Sequence, residues 1–367
     1  MENLVVLFGG RSCEREISVI TGVTCVNALD KKRYNIVPIY ISPENKTYYG
    51  ESLSDLDFYK NFDLNALSEV VFLTGEKTLF YKKKNKLKPF IRVDVIINCC
   101  HGSSGENGAL AGLIEMTGIT SVSPSVFAGA VTMDKVQCKK YLSKTVNLAR
   151  QVVVTQDESV GQGAMLAEET FGYPMIVKPN SLGSSIGVKV VKDLRELTVA
   201  VMNALRYDTC VLIEEFLQNA TEINCAVYRD KNGVVVSECE KPLPSKEFLT
   251  FEDKYTGGER EFPANIPTKL SNKIKQITKE VYDKLQTNGV MRFDYLLVDN
   301  KIYLNEINSI PGSLAYYLFG NSDEGFREML NAMIESAKTS ANKRCSLIAT
   351  IDTGVLTKGY GKGAKGK

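Results

Sequence analysis

The 367-residue chain predicts an α/β unit built on a parallel sheet, followed by two α+β units. Three observations carry this. Through roughly the first 130 residues, short apolar runs alternate with stretches of helical spacing, the pattern of strands packed between helices. Residues 131–220 repeat strand and helix signals in a smaller unit around the segment Lys178-Pro179-Asn180-Ser181-Leu182-Gly183. Residues 221–340 carry antiparallel signals, most clearly two strand patterns either side of the turn pair Asp299-Asn300.

The elements follow in order. Residues 4–8 are a short apolar strand, Gly9-Gly10 a turn, and 14–29 a helix; 36–41 form the second strand. Residues 43–92 are less regular, with hairpin-like pieces at 70–73 and 78–81, and the basic run 82–88 reads as an exposed turn. A buried-type strand at 93–100 ends on His101-Gly102, a helix follows at 108–116, and a strand near 119–122. Strands alternating with helices argue for a parallel sheet covered on both faces. Then come a helical segment at 133–144, a strand at 152–154, a helix at 164–171, strands at 174–177 and 188–191 flanking the loop 180–187, a helix at 193–205 and a strand at 211–215. The last unit has a helix at 271–286 and strands at 291–298 and 301–307. Residues 341–367 form a tail whose end, KGYGKGAKGK, is Gly/Lys low complexity and is expected to be disordered.

Composition narrows the partners. Hydrophobic residues make up 44% and charged residues 24%, ordinary for a globular chain with large cores. The net charge of +2 gives no field favouring nucleic acid or a membrane surface, and neither is expected as a partner. Nine cysteines show no CxxC or Cys/His metal spacing and sit mostly in apolar runs, so buried free thiols are expected. The start MENLVVLFGGRS lacks the features of a signal peptide, and no stretch is apolar for the roughly 18 residues that span a bilayer. Free thiols without an export signal point to the cytosol.

Four segments carry chemistry. In the loop Lys178 to Gly187, backbone N–H groups can converge on phosphate oxygens and a lysine adds point charge, although no GKS or GKT makes it a Walker loop. A surface turn is the alternative. In the hairpin 291–308, period-two alternation puts Arg292 and Asp294 on one face, and Glu306 and Asn308 on one face of the next strand. Asp294, Glu306 and Asn308 then offer hard oxygens suited to Mg²⁺; scattered surface acids are the alternative. The strand end Leu212-Ile213-Glu214-Glu215-Phe216-Leu217, with Thr221-Glu222 after it, can offer an apolar slot and a carboxylate to a nucleoside, or be an ordinary strand end. His101, the only histidine, stands at a strand C-terminus, where parallel sheets bind ligands; a structural histidine is the alternative. Glu14 and Glu16 are also readable as first-turn acids favoured by the helix dipole.

Together, FGGRSCEREIS, HGSSGENGALAGLIEMTG, MDK with IVKPNSLGSSIGV, FEDKYTGGEREFPA and RFDYLLVDNKIYLNEINSIPG resemble, in this order, the signatures of the D-alanine–D-alanine ligase family, from about residue 4 to 335. The resemblance implies an N-terminal Rossmann-like domain (1–130) and an ATP-grasp fold of two α+β domains (131–220 and 221–340). It implies that ATP activates a carboxylate as an acyl phosphate, which an amine then attacks to give D-alanyl-D-alanine for peptidoglycan synthesis. By resemblance, Glu14 holds the first D-alanine's ammonium, and Ser184 and Tyr255 complete a linked Glu–Ser–Tyr set. Lys135, Lys178 and Lys254 contact phosphates, with Ser185 in the same nucleotide loop. Glu214, Glu215 and Leu217 frame adenine and Glu222 binds ribose. Asp294, Glu306 and Asn308 hold two Mg²⁺ or Mn²⁺, and Arg292 stabilises an oxyanion. The substrates implied are ATP and D-alanine, the assembly a homodimer, and the loop 248–262, with Gly257 and Gly258, a mobile cover.

The chain departs from the family after the metal-binding strand. The family has a Pro-Gly-Met-Thr-x-x-Ser type turn whose serine helps bind the second amino acid. Here the run is Pro311-Gly312-Ser313-Leu314-Ala315-Tyr316-Tyr317, with Tyr317 at the serine's place and Ser313 one turn earlier. Either hydroxyl is a candidate for that role, and D-serine or another acceptor stands beside D-alanine.

Overall fold

β1 (Glu2–Gly9) is buried without alternation from Leu4 to Gly9, the signature of a strand covered on both faces. The structure, a computed structural model, describes residues 1–243 and 259–354. After β1 come α1 (Arg15–Ala28), β2 (Tyr34–Ile41), β3 (Thr47–Tyr49), β4 (Ser68–Phe72), β5 (Thr78–Lys83), β6 (Lys86–Arg92), β7 (Val95–Asn98), α2 (Ser103–Glu106), α3 (Ala109–Thr117) and β8 (Thr120–Val122). Among the described residues these strands form one eight-stranded sheet in the order β6-β5-β4-β3-β2-β1-β7-β8.

Only half of that sheet is parallel. β2, β1, β7 and β8 pair in parallel, whereas β2 through β6 pair antiparallel. The expectation of a parallel sheet is therefore corrected to a mixed one. The links after β2, β4 and β5 are a few residues long, too short for the crossover a parallel neighbour needs. The basic run 82–88 is likewise corrected. Only Lys84 and Asn85 form the turn, and the rest belongs to β5 and β6. β6 is the edge of the sheet, where exposed lysines oppose pairing with another chain.

The second unit begins with α4 (Val126–Met133) and α5 (Lys135–Leu142). The helix expected at 133–144 is α5, and α4 before it is a further helix absent from the sequence reading. Asp134 separates the two with an extended backbone, and its carboxylate accepts from Gln137 N–H at 2.8 Å, capping α5. β9 (Gln151–Thr155), α6 (Val160–Phe171), β10 (Met175–Pro179), β11 (Lys189–Val191), α7 (Leu194–Ala204) and β12 (Cys210–Glu215) follow, with an antiparallel sheet ordered β11-β10-β12-β9. β13 (Thr221–Asp230), β14 (Gly233–Val236), β15 (Lys241–Leu243), β16 (Glu259–Glu261), α8 (Thr268–Leu285), β17 (Met291–Val298), β18 (Lys301–Asn308) and α9 (Asp323–Cys345) follow among the described residues. The sheet β14-β13-β17-β18 is antiparallel, as its hairpin signal suggested.

α9 runs past residue 340. Phe326, Met329, Leu330, Met333, Ile334 and Ala337 recur at helical spacing and are buried with Leu4, Val6, Phe8 and Val23 of the first unit. The end of the chain thus covers the sheet formed by its beginning. Six of the nine cysteines are buried free thiols, as expected; Cys13 and Cys345 are exposed. Among the described residues no helix is long and apolar enough to cross a membrane.

Candidate active site

Two cavities adjoin: the larger lies between the sheet β11-β10-β12-β9 and the sheet β14-β13-β17-β18, and the smaller between the first unit, α5, the loop at 182–183 and the hairpin β17–β18. The larger, about 600 Å³, is lined by Lys135, Lys178, Ser185, Glu214, Glu215, Leu217, Glu222 and Glu306, among others. The smaller, about 40 Å³, is lined by Glu14, His101, Glu106, Arg292, Asn308 and Gly312 among others. Both share Lys135, Lys139, Leu182, Leu304, Asn305 and Glu306. Most of the candidates therefore converge on one cleft from six stretches of sequence: Glu14, His101, Lys135, 178–185, 214–222 and 292–308. Lys254 and Tyr255 lie outside the described residues, as do Gly257, Gly258 and the tail 358–367.

The hairpin β17–β18 pairs Arg292 with Asn308 and Asp294 with Glu306. Just beyond, the register slips, so that Tyr295 faces Leu304 and Asn305 is the extra residue of a bulge. The bulge turns Asn305 into the cleft beside Glu306, where its Oδ1 accepts from Lys178 Nζ at 2.9 Å. Asp294 is fully buried and receives Arg292 Nε and Nη2 at 2.7 and 2.8 Å, a bidentate pair that fixes the guanidinium plane. Asn308 Nδ2 donates to Asp294 Oδ2 at 3.0 Å, leaving its Oδ1 as the acceptor. Arg292 Nη1 donates to the Tyr317 hydroxyl at 3.2 Å, and the Tyr317 ring carries Arg260 at 4.8 Å. Tyr317 thus stands beside Arg292, whereas the Ser313 N–H donates to Thr21 Oγ1 at 2.9 Å.

The nucleotide-type loop is held from below. Lys135 N and Val136 N donate to the backbone and side-chain oxygens of Asn180 at 3.2 and 3.0 Å, and Lys135 Nζ reaches Leu182 O. Ser184 Oγ donates to Glu14 Oε1 across 170 residues of sequence. Glu14 is buried, whereas Glu16 is exposed, so the two N-terminal acids part company. Gly183 and Gly102 both lie against the Glu14 carboxylate. A Cβ on Gly183 would stand 3.0 Å from Oε1, and one on Gly102, at φ +66°, 2.9 Å from Oε2 and 2.4 Å from Ser12 Oγ.

Three groups with strong roles in this geometry carried no assigned role in the sequence reading. Lys139 is buried and ion-paired with Glu214 Oε1, while Lys178 Nζ holds Oε2 at 2.7 Å. Burial opposes ionisation of Glu214, but Lys178 and then Lys139 outweigh it and hold the carboxyl at about 2. Burial lowers the Lys139 ammonium, with Glu214 pulling the other way. Asn305 emerges through the bulge, which alternation alone does not show. Glu106 accepts from Gly102 N, Ile310 N and Ser309 Oγ at 2.7, 2.9 and 3.1 Å, tying the first unit to the turn after β18. Burial, then the nearby Glu14, push it up to about 7.

His101 is buried, its Nε2 3.0 Å from Thr21 Oγ1, and burial followed by the Arg292 charge drive it down to about 3. It is neutral at pH 7 and braces α1. Glu215 spends its carboxylate on Arg150, at 2.8 Å from N and 2.7 Å from Nε. With Glu214 and Glu215 both so engaged, the backbone and apolar side chains at the end of β12 form that part of the wall.

Comparisons with known proteins agree with this architecture. A family model described as the D-ala D-ala ligase N-terminus matches residues 3–124, and one described as the D-ala D-ala ligase C-terminus matches 141–335. A D-alanine–D-alanine ligase of Thermosipho melanesiensis is 38% identical, over 99% of this chain and 100% of that protein. The crystal structure of D-alanine–D-alanine ligase from Helicobacter pylori aligns at TM-score 0.77 and 30% identity, covering 92% of this chain and 98% of that one. VanG D-Ala:D-Ser ligase from Enterococcus faecalis aligns at TM-score 0.77 and 26% identity, covering 91% and 99%.

Proposed function

The chain belongs to the D-alanine–D-alanine ligase family, and we propose that it joins two D-alanines through an acyl phosphate, using ATP. The observation that carries this is the pair of cavities meeting at Lys135, Lys139, Leu182, Leu304, Asn305 and Glu306. A cavity of about 600 Å³ is of nucleotide size, and the smaller one beside it is lined by Glu14 and Arg292, charges of the sign that an amino acid's ammonium and carboxylate call for.

A carboxylate is a poor electrophile. Phosphorylating the carboxylate of the first D-alanine gives it a leaving group, and transfer needs positioning and neutralised charge rather than covalent help from the protein. Lys135 and Lys178, with Ser185 in the loop, are assigned to the phosphates, Leu217 and the backbone of 215–217 to adenine, and Glu222 to ribose. Glu214 is read as the anchor of Lys178. Glu14, oriented by Ser184, holds the first D-alanine's ammonium. The second amine attacks the acyl carbon, phosphate leaves, and the oxyanion that develops lies with Arg292; one such donor is worth roughly 3 kcal/mol. His101 braces α1 behind Glu14, and Tyr317, in place of a serine, faces the second amino acid with Arg292.

Asp294, Glu306 and Asn308 fit Mg²⁺ or Mn²⁺: two carboxylates and an amide oxygen on adjacent strands are hard donors, and Asn308 keeps Oδ1 for such use. When bound, two such ions would neutralise the charge on the transferring phosphoryl group. Lys254 and Tyr255 keep the phosphate and acceptor roles the resemblance implies. By the same resemblance we assign a cytoplasmic homodimer, which sedimentation of the pure protein checks.

The deciding experiment is mass spectrometry of products after incubation with ATP, Mg²⁺ and a panel of D-amino acids. D-alanyl-D-alanine as the main product supports the reading, and turnover of L-amino acids with D-alanine ignored overturns it. Tyr317 in place of the serine, with the likeness to a D-Ala:D-Ser ligase, supports D-serine as the second reading, and the same panel reads it out directly.

A further inference from the structure

Lys139 has no place in the reaction as derived so far, yet it lines both cavities. It projects from α5, and its side chain is 8% exposed. Its ammonium donates to Glu214 Oε1 and, at 3.2 Å, to Ala149 O. Glu214 passes its other oxygen to Lys178 at 2.7 Å, and Lys178 gives a second N–H to Asn305 Oδ1 at 2.9 Å. An ammonium has three N–H donors. Lys178 therefore reaches the nucleotide cavity fixed by two acceptors, with one donor remaining for a phosphate oxygen.

A buried carboxylate paired with one lysine is a neutral unit that attracts no anion. With two lysines the same carboxylate leaves one net positive charge in a cleft of low dielectric, where charge acts most strongly. We propose that Lys139 is a positioning residue for nucleotide binding: it neutralises Glu214, so that the charge of Lys178 is presented, uncancelled, to the phosphates of the bound nucleotide.

The proposal rests on the assignment of the larger cavity to nucleotide, but not on the identity of either amino acid. Its test is the affinity for ADP with Mg²⁺, measured by calorimetry on the full chain without D-alanine, in wild type, Lys139→Met, Lys139→Arg and Lys139→Met/Glu214→Gln. Lys139→Met should weaken ADP by about tenfold or more, and the double variant, which removes carboxylate and counter-charge together, should return to within about threefold of wild type. Lys139→Arg should stay nearer wild type than Lys139→Met.

A lysine that only supports the fold predicts the opposite order, with the double variant binding no better than Lys139→Met. Should Lys139→Met fail to fold, the double variant decides alone, since it removes the buried carboxylate together with its second counter-charge. ADP binding in the folded double variant weaker by about tenfold or more than wild type would overturn the proposal. Wild-type protein that binds no ADP would instead remove the nucleotide reading beneath it.

Discussion

The single histidine permits a test that needs no assignment work. His101 is buried between α1 and the cleft, and burial, with the Arg292 charge behind it, lowers its pKa from 6.5 to about 3. In the unfolded chain the imidazole titrates near its ordinary value, so between these values the unfolded state binds more protons. Stability is then fully present above pH 6.5 and is lost as pH falls toward 3. At pH 5 the folded imidazole is almost wholly neutral and the unfolded one almost wholly charged, a difference of about 1.5 pH units, or roughly 2 kcal/mol. Two measurements follow. The one imidazole Cε1–H resonance in the proton spectrum should stay at its neutral position from pH 8 to pH 5. Urea denaturation of wild type and His101→Gln should show wild type losing about 2 kcal/mol more than the variant over the same interval. A titration midpoint near 6.5 in the folded protein would refute the burial argument, as would parallel stability losses in the two proteins.

Glu306→Gln should lower turnover at least about a hundredfold with the fold intact by circular dichroism, because a charged metal ligand is lost; near wild-type rates would remove the metal assignment. Glu106→Gln should flatten the pH dependence of stability. The carboxyl is held near 7 against an ordinary 4.5, so wild type loses roughly 3 kcal/mol as pH rises from 4.5 to 7 while the amide does not. Equal slopes in thermal melts of the two would contradict that. Gly102→Ala forces a side chain into the left-handed region and against Ser12 and Glu14, and should cost about 1–3 kcal/mol in denaturant melts. It should also raise the KM of the first D-alanine, and unchanged values on both counts would show that the loop yields freely.

Much of the site lay open in the sequence because its parts are local. Asp294, Glu306 and Asn308 sit on a hairpin whose turn and period-two alternation are readable from the residues, and the structure pairs them as that alternation requires. Lys178 with the small-residue loop after it, and His101 at a strand end, are local signals of the same kind. The first part of the chain reads as strand and helix alternation for the same reason; the hairpin-like pieces at 70–73 and 78–81 pair antiparallel as β4 and β5, and what was not legible is that they extend the same sheet as β1 and β2.

What the amino-acid order determined alone is most of the strands and helices, α4 and α9 excepted, and the chemical inventory each one carries, since dihedral preference and apolar periodicity act over neighbours a few residues apart. Packing decided the remainder: that Ser184 meets Glu14, that Lys139 and Lys178 share Glu214, that one inserted residue swings Asn305 into the cleft, and that α9 closes over the sheet formed by the beginning of the chain. These contacts join residues tens to hundreds of positions apart. Their formation depends on how whole sheets and helices exclude water together, a property no short window of sequence contains.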